Sequence, residues 1–392
     1  MKKKRTFRFA YPNGHEFIKA YKRQDENAYR NDAFYFRGGS KNLADVEDKI
    51  AKLVDVEKGN LCLTTSGMSA VITVLEIANL KTGSIVVHGK IAYGQIYNYI
   101  DIDLRQRGVI PVEVDAGSVD AIESTLKKVA LKYGNDAIKI IFLETIGNGP
   151  ETPVLDIERF LSLSLLQKLN PLIVFDNTLP TNSIVSLSQY VKESKLRIVG
   201  LESTTKFYLF NQDLGGFIFT YRNDLLNVLL TKRKRIGATP GPSLIEKYNA
   251  FLPKNKKQFD KKNWSIMKNT MIIAKACSQA TGTDQKIIIS YPNLSSHQNY
   301  TYANKHFKNG CLPVLFITAT KDAPFSSEQL FYKLEKSGAF TDMVFTESFG
   351  FSKTGVSYAS RYNGYIRIAG GREKLQEVKK IGERIKIALS SI

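Results

Sequence analysis

Lys206 closes the segment Leu201-Glu202-Ser203-Thr204-Thr205-Lys206, which follows the run Arg197-Ile198-Val199-Gly200. Thirty residues earlier, Pro171-Leu172-Ile173-Val174-Phe175 ends in Asp176. Short apolar runs of this kind read as buried strands, each with one ionisable group at its C-terminal end. A lysine amine and a carboxylate placed in this way are the pair that pyridoxal phosphate chemistry requires. The amine forms a Schiff base with the aldehyde, and the carboxylate keeps the pyridine nitrogen protonated so that the ring draws electrons. Taken singly, such a lysine reads as a surface residue. The assignment therefore depends on further parts appearing in order.

Thr64-Thr65-Ser66-Gly67-Met68-Ser69-Ala70 follows a short apolar strand and opens a helical pattern. A glycine at such a turn lets backbone N–H groups approach an anion, and the helix N-terminus favours its charge. The same turn is also a plain helix N-cap. Tyr93, in Ile91-Ala92-Tyr93-Gly94-Gln95-Ile96-Tyr97, comes just after the strand Val86-Val87-His88. Its ring has the shape to stack on a flat cofactor, or simply to pack.

With these segments, Tyr35-Phe36-Arg37-Gly38-Gly39, Asp176-Asn177-Thr178, Leu214-Gly215-Gly216 and Ile366-Arg367-Ile368-Ala369-Gly370-Gly371 complete a pattern. From about residue 34 to 390 the chain resembles the Cys/Met-metabolism enzymes that use pyridoxal 5'-phosphate: cystathionine γ-synthase, cystathionine γ-lyase, methionine γ-lyase and relatives. Residues 1 to 33 and 240 to 310 match poorly. The resemblance implies an α/β chain of pyridoxal-phosphate fold type I (aspartate-aminotransferase-like), with a large, mostly parallel-sheet cofactor domain and a smaller C-terminal domain. It implies a homotetramer built as a dimer of dimers.

The resemblance also implies roles. Lys206 is the Schiff-base lysine and Asp176 the partner of the pyridine nitrogen. Tyr93 stacks on the ring and joins in proton transfer. Gly67, Met68, Ser203 and Thr205 hold the phosphate. Tyr35 and Arg37 reach the phosphate of the neighbouring subunit, a task that suits a planar guanidinium. Asn148 lies beside the ring hydroxyl. Arg367 grips the substrate α-carboxylate, Ser348 assists it, and Glu347 matches a glutamate of γ-synthases and γ-lyases.

The chain departs from the family pattern in places. Gly149 stands where proline is usual after the asparagine, with one extra residue before Asp156. Phe34 replaces an acidic residue before the Tyr-x-Arg motif, and Asn98 stands where an arginine is common. Both latter positions serve the far end of the substrate, so specificity is expected to differ. Glu347 also has a plain reading, as a solvated carboxylate.

The expected activity is γ-replacement or γ-elimination on a homoserine- or cysteine-derived L-amino acid. The alternatives are β-elimination or a carbon–carbon γ-substitution in a specialised pathway, and, last, a non-catalytic basic binding protein.

At 392 residues the chain is long enough for two domains. Residues 1–43 read as an irregular arm that contributes to the neighbouring subunit. Residues 44–240 read as the cofactor domain and 241–392 as the C-terminal domain, with Pro240-Gly241-Pro242 at the junction. Strands are expected at 138–143, 172–175, 217–221, 312–318 and 365–369, and helices at 45–53 and 373–389. No run of eighteen apolar residues occurs, and the basic start lacks a signal-type apolar stretch. With three scattered cysteines, a reducing, cytoplasmic setting is expected. The four histidines show no metal-ligand spacing, so no metal is expected. The net charge of +19 reads as a lysine-rich solvated surface; it could also attract polyanions, but no nucleic-acid motif accompanies it.

Overall fold

The computed structural model describes residues 13–22, 36–280 and 286–392. Tyr35 and Phe34 lie outside the described residues.

Seven strands form the larger sheet: β1 (Leu61–Thr64), β2 (Ile85–Gly89), β3 (Ile110–Val114), β4 (Ile138–Glu144), β5 (Leu172–Asp176), β6 (Ile198–Ser203) and β7 (Gly216–Phe219). Their order is β1-β7-β6-β5-β4-β2-β3. β7 runs antiparallel to both of its neighbours, and the other pairs are parallel. Strands buried on both faces need no polar alternation, and β5 is buried at every position. Its side chains still alternate between two cores. Leu172 and Val174 join one cluster, and Ile173 and Phe175 the other.

Five strands form the smaller sheet: β8 (Ile287–Ser290), β9 (Val314–Ala319), β10 (Val344–Phe345), β11 (Gly355–Ala359) and β12 (Tyr365–Ala369), in the order β10-β11-β12-β9-β8. The long helix Lys256–Ala280 packs against the closing helix Leu375–Ser390, which buries Val378, Ile381 and Ile385 at helical spacing. The fold is thus α/β, with a large mostly parallel sheet and a smaller C-terminal one.

The arm differs from expectation in one respect. Gly14–Lys22 is helical, because the Asn13 side chain accepts the Glu16 N–H at 3.0 Å and caps its first turn. Among the described residues, no helix is long and apolar enough to cross a membrane.

The edge strand β1 is covered by a buried ion pair. Arg233 Nη1 lies 2.6 Å from Glu47 Oε1, and the two side chains are 3% and 1% exposed. Glu47 accepts the Leu63 N–H, and Arg233 donates to the Leu63 carbonyl. Side chains thus satisfy backbone groups that an edge strand leaves open. Arg233→Met will strand the Glu47 carboxylate and lower unfolding free energy by about 3–5 kcal/mol. The check is the denaturant midpoint against wild type. An unchanged midpoint would show that the pair contributes nothing net.

Candidate active site

Parallel strands end together, and the crevice beyond their carboxyl ends is where α/β sheets place ligands. Here β1 leads to Ser66 and Gly67, β2 to Tyr93, β4 to Asn148 and β6 to Lys206, while β5 ends in Asp176 itself.

Ser66 is in extended conformation and caps the helix Gly67–Ile77. Its Oγ accepts the Ser69 N–H, and the Ser69 Oγ accepts the Ser66 N–H. The turn is therefore a helix N-cap of the capping-box type. A Cβ on Gly67 would stand 2.8 Å from Ser203 Cβ, so only glycine allows the helix start this close to the end of β6. Ser203 N–H donates to Thr178 Oγ1 at 2.8 Å, and the Ser203 hydroxyl donates to the Gly215 carbonyl. Thr205 Oγ1 accepts the Gly215 N–H. Met68, one residue into the helix, is partly buried.

Asp176 is buried and its Oδ1 accepts the Thr178 N–H at 2.8 Å. Burial raises its pKa, against the opposing Thr178 hydrogen bonds. Beside it in register stands Glu144, raised by burial and by the Asp176 charge. Glu144 Oε1 accepts the Tyr93 N–H at 2.6 Å, and Oε2 accepts the Asn148 N–H at 2.9 Å. Tyr93 itself is 46% exposed. Its phenol is pushed up by desolvation first, and it feels the charges of Arg367, Glu347, Asp176 and Glu144.

Lys206 Nζ donates to Ser348 Oγ at 2.7 Å, and Ser348 Oγ donates to Asn211 Oδ1 at 2.6 Å. Burial first, and then the Arg367 charge, lower the Lys206 pKa to about 8. Arg367 lies on β12 and bonds the Glu347 carbonyl through Nη2. Its Nε is buried and has no hydrogen-bond partner among the described residues. The Glu347 side chain is exposed.

The chain thus gathers Gly67 with Ser203 and Thr205, Asp176 with Tyr93 and Asn148, and Lys206 with Ser348, Arg367 and Glu347. Arg37 stands apart, exposed on the turn Phe36–Gly38, where its carbonyl accepts from Thr239 Oγ1. Three residues escaped sequence reasoning: Glu144, Asn211 and Arg361. Arg361 donates to the Ala92 carbonyl and covers the Tyr97 ring, so it fixes the loop that carries Tyr93. Glu144 ends an apolar strand next to the one that ends in Asp176, which was a usable signal. Gly149 has a local reason. A Cβ there would stand 2.7 Å from Ile91 and 3.1 Å from Tyr362.

A strand-end lysine and aspartate over a mostly parallel sheet, closed by a smaller second sheet, define the fold type I class of pyridoxal-phosphate proteins. The profile of the Cys/Met metabolism PLP-dependent enzyme family matches residues 13–380, and the chain belongs to that family. In structure it is similar to a cystathionine γ-synthase from Xanthomonas oryzae pv. oryzae, with TM-score 0.74, 16% identity, and 94% of this chain and 90% of that one covered. It is also similar to CalE6, a methionine γ-lyase from Micromonospora echinospora, with TM-score 0.71, 18% identity, and 90% and 88% covered. In sequence it is 26% identical to the L-methionine γ-lyase of Treponema denticola over 70% of this chain and 63% of that protein. It is 24% identical to the cystathionine β-lyase of Saccharomyces cerevisiae over 70% and 58%. The matches span about half to two thirds of these curated relatives' length.

The residues present fit pyridoxal phosphate. Asp176 is a buried carboxylate with no cationic side chain paired to it among the described residues, as a protonated ring nitrogen requires. The Gly67 turn has room for no more than backbone, as an anion cradle requires.

Two outcomes are expected. Lysine amines react only when neutral, so reductive methylation of Lys206 in the cofactor-free chain will rise through about pH 8 instead of 10.5, followed site by site by mass spectrometry. Arg367→Met removes one of the two causes and will move that midpoint upward; an unmoved midpoint refutes the coupling. Glu144→Gln turns an NH2 group toward a backbone N–H, which will cost about 1–3 kcal/mol of stability and weaken pyridoxal phosphate retention on dialysis.

Proposed function

We propose that this chain uses pyridoxal 5'-phosphate to catalyse γ-replacement or γ-elimination on a homoserine- or cysteine-derived L-amino acid. One observation carries the reading: an amine of lowered proton affinity, Lys206, stands under the influence of the Arg367 cation, and Tyr93 and Glu347 lie in the same field. In this reading Gly67, Met68, Ser203 and Thr205 hold the phosphate. Asp176 meets the ring nitrogen, Asn148 the ring hydroxyl and Tyr93 the ring face. Arg37 and Tyr35 complete the site of a neighbouring subunit, which makes a dimer the smallest active unit and a dimer of dimers the expected assembly. When bound, the cofactor supplies a reactive aldehyde and an electron-poor ring.

The chain's own residues then act on the amino acid. Arg367 pairs with its α-carboxylate, and the bond from Nη2 to the Glu347 carbonyl fixes the guanidinium plane. Lys206, neutral above about pH 8, takes the proton from Cα. In the γ-reaction it also moves a proton at Cβ, and Ser348 and Asn211 hold its amine on line. Tyr93, kept protonated by its raised pKa, can donate toward a departing group. The exposed Glu347 carboxylate faces the far end of the substrate and favours a cationic group there.

A β-elimination reading has its own support. Asn98 is an exposed amide where many γ-enzymes carry arginine, and two of the relatives are named cystathionine β-lyase. A panel of L-amino acids with β- or γ-leaving groups separates the two. Turnover confined to γ-substrates supports the first reading, and turnover confined to β-substrates replaces it. Lys206→Ala will lower kcat by about a thousandfold or more, and Arg367→Ala will raise KM by about 10- to 100-fold, the value of a charge-assisted hydrogen bond. Wild-type turnover in Lys206→Ala would overturn the scheme.

A further inference from the structure

Outside this site, a second set of groups converges at the opposite edge of the large sheet from β1. His88 on β2 and Glu113 on the edge strand β3 are register partners. Asp101 approaches from the π-helical turn Tyr99–Leu104. Ligand atoms from the three side chains all lie within 4.8 Å of one another.

The state of the His88 ring distinguishes this set from an ordinary patch of surface carboxylates. The residue is 1% exposed. Nδ1 lies 3.2 Å from the Gly89 carbonyl. A carbonyl can only accept, so Nδ1 carries the proton and Nε2 is left with its lone pair. Nε2 is buried and has no hydrogen-bond partner among the described residues. Metal-bound histidines have this arrangement, with one nitrogen donating to a backbone carbonyl and the other free to ligate.

The carboxylates are arranged in a compatible way. Glu113 Oε1 accepts from the Tyr97 hydroxyl at 2.7 Å, and Asp101 Oδ1 accepts from Arg105 Nη2 at 2.6 Å. Each is oriented through one oxygen, and the other oxygen has no partner among the described residues.

We propose that His88, Asp101 and Glu113 form a binding site for one divalent transition-metal ion, with Zn2+ the best match. One imidazole, two carboxylates and a water make a four-coordinate borderline donor set. Bonds of about 2.1 Å separate tetrahedral ligands by about 3.4 Å, so the carboxylates, both on the accessible side of the cluster, close in by rotamer adjustment. The ion would tie the turn Tyr99–Leu104 to the β2–β3 edge. That turn continues directly from the helix Gly94–Asn98, which begins just after Tyr93. The site is thus structural and borders the candidate active site without sharing its residues. π-Helical turns of this kind often mark functional places.

The test uses the full-length holoenzyme stripped with a chelator. Zn2+ alone is titrated by calorimetry, and Co2+ is followed by its visible absorption. The expected result is one ion per chain, with a Kd in the micromolar range or below and a tetrahedral Co2+ spectrum. Glu113→Gln and Asp101→Asn will each weaken binding by at least about tenfold and abolish the Co2+ band. Both substitutions fall on groups with solvent access, and a wild-type melting curve without metal will confirm that each variant is folded. His88→Gln is the buried counterpart. Absence of saturable binding overturns the proposal, as does weak binding to many sites that the two carboxylate variants leave unchanged.

Discussion

The candidate site depends on a pair of buried carboxyl groups set side by side at the ends of β4 and β5. Glu144 and Asp176 are register partners, and parallel pairing fixes their spacing. Burial in a low-dielectric place raises both pKa values, and the Asp176 charge raises that of Glu144 further. The cost is offset in different ways. Glu144 receives two backbone N–H groups, from Tyr93 and Asn148, so that one side chain sets two loops. Asp176 receives the Thr178 N–H; in the proposed function the same carboxylate meets the ring nitrogen.

The second sheet supplies what the first lacks. Asp176, Glu144 and the Gly67 turn belong to the large sheet, while Arg367 and Ser348 come from beyond residue 340. They meet at Lys206, whose amine bonds Ser348 and is lowered by Arg367. The proton affinity of the lysine is thus a property of the closed arrangement of two sheets. Neither segment alone would desolvate the amine or bring a guanidinium near it.

Much of the frame was legible. The strand 365–369 and the closing helix follow apolar periodicity, and the structure places them at Tyr365–Ala369 and Leu375–Ser390. Buried parallel strands announce themselves as unbroken apolar runs. The helix Gly14–Lys22 was missed because one asparagine cap, not a long apolar face, marks its start. Glu144, Asn211 and Arg361 were missed for a common reason: each acts through a partner distant in sequence, at separations of 51, 137 and 269 residues. The set of His88, Asp101 and Glu113 has no ligand-like spacing either. A strand, a helical turn and an edge strand bring it together.

The sequence by itself determined the ionisable groups and their places at strand ends. Lys206, Asp176 and the Ser66–Gly67 turn follow from local pattern, because an apolar run that stops at a polar residue fixes both a strand and its exit. Only the tertiary structure decided which of these groups are charged, which are paired and which face each other. Those properties depend on burial and on contacts between segments hundreds of residues apart, and desolvation has no counterpart in a linear string. The Lys206 amine has a lowered proton affinity for that reason: the fold partly buries it and sets the Arg367 charge near it.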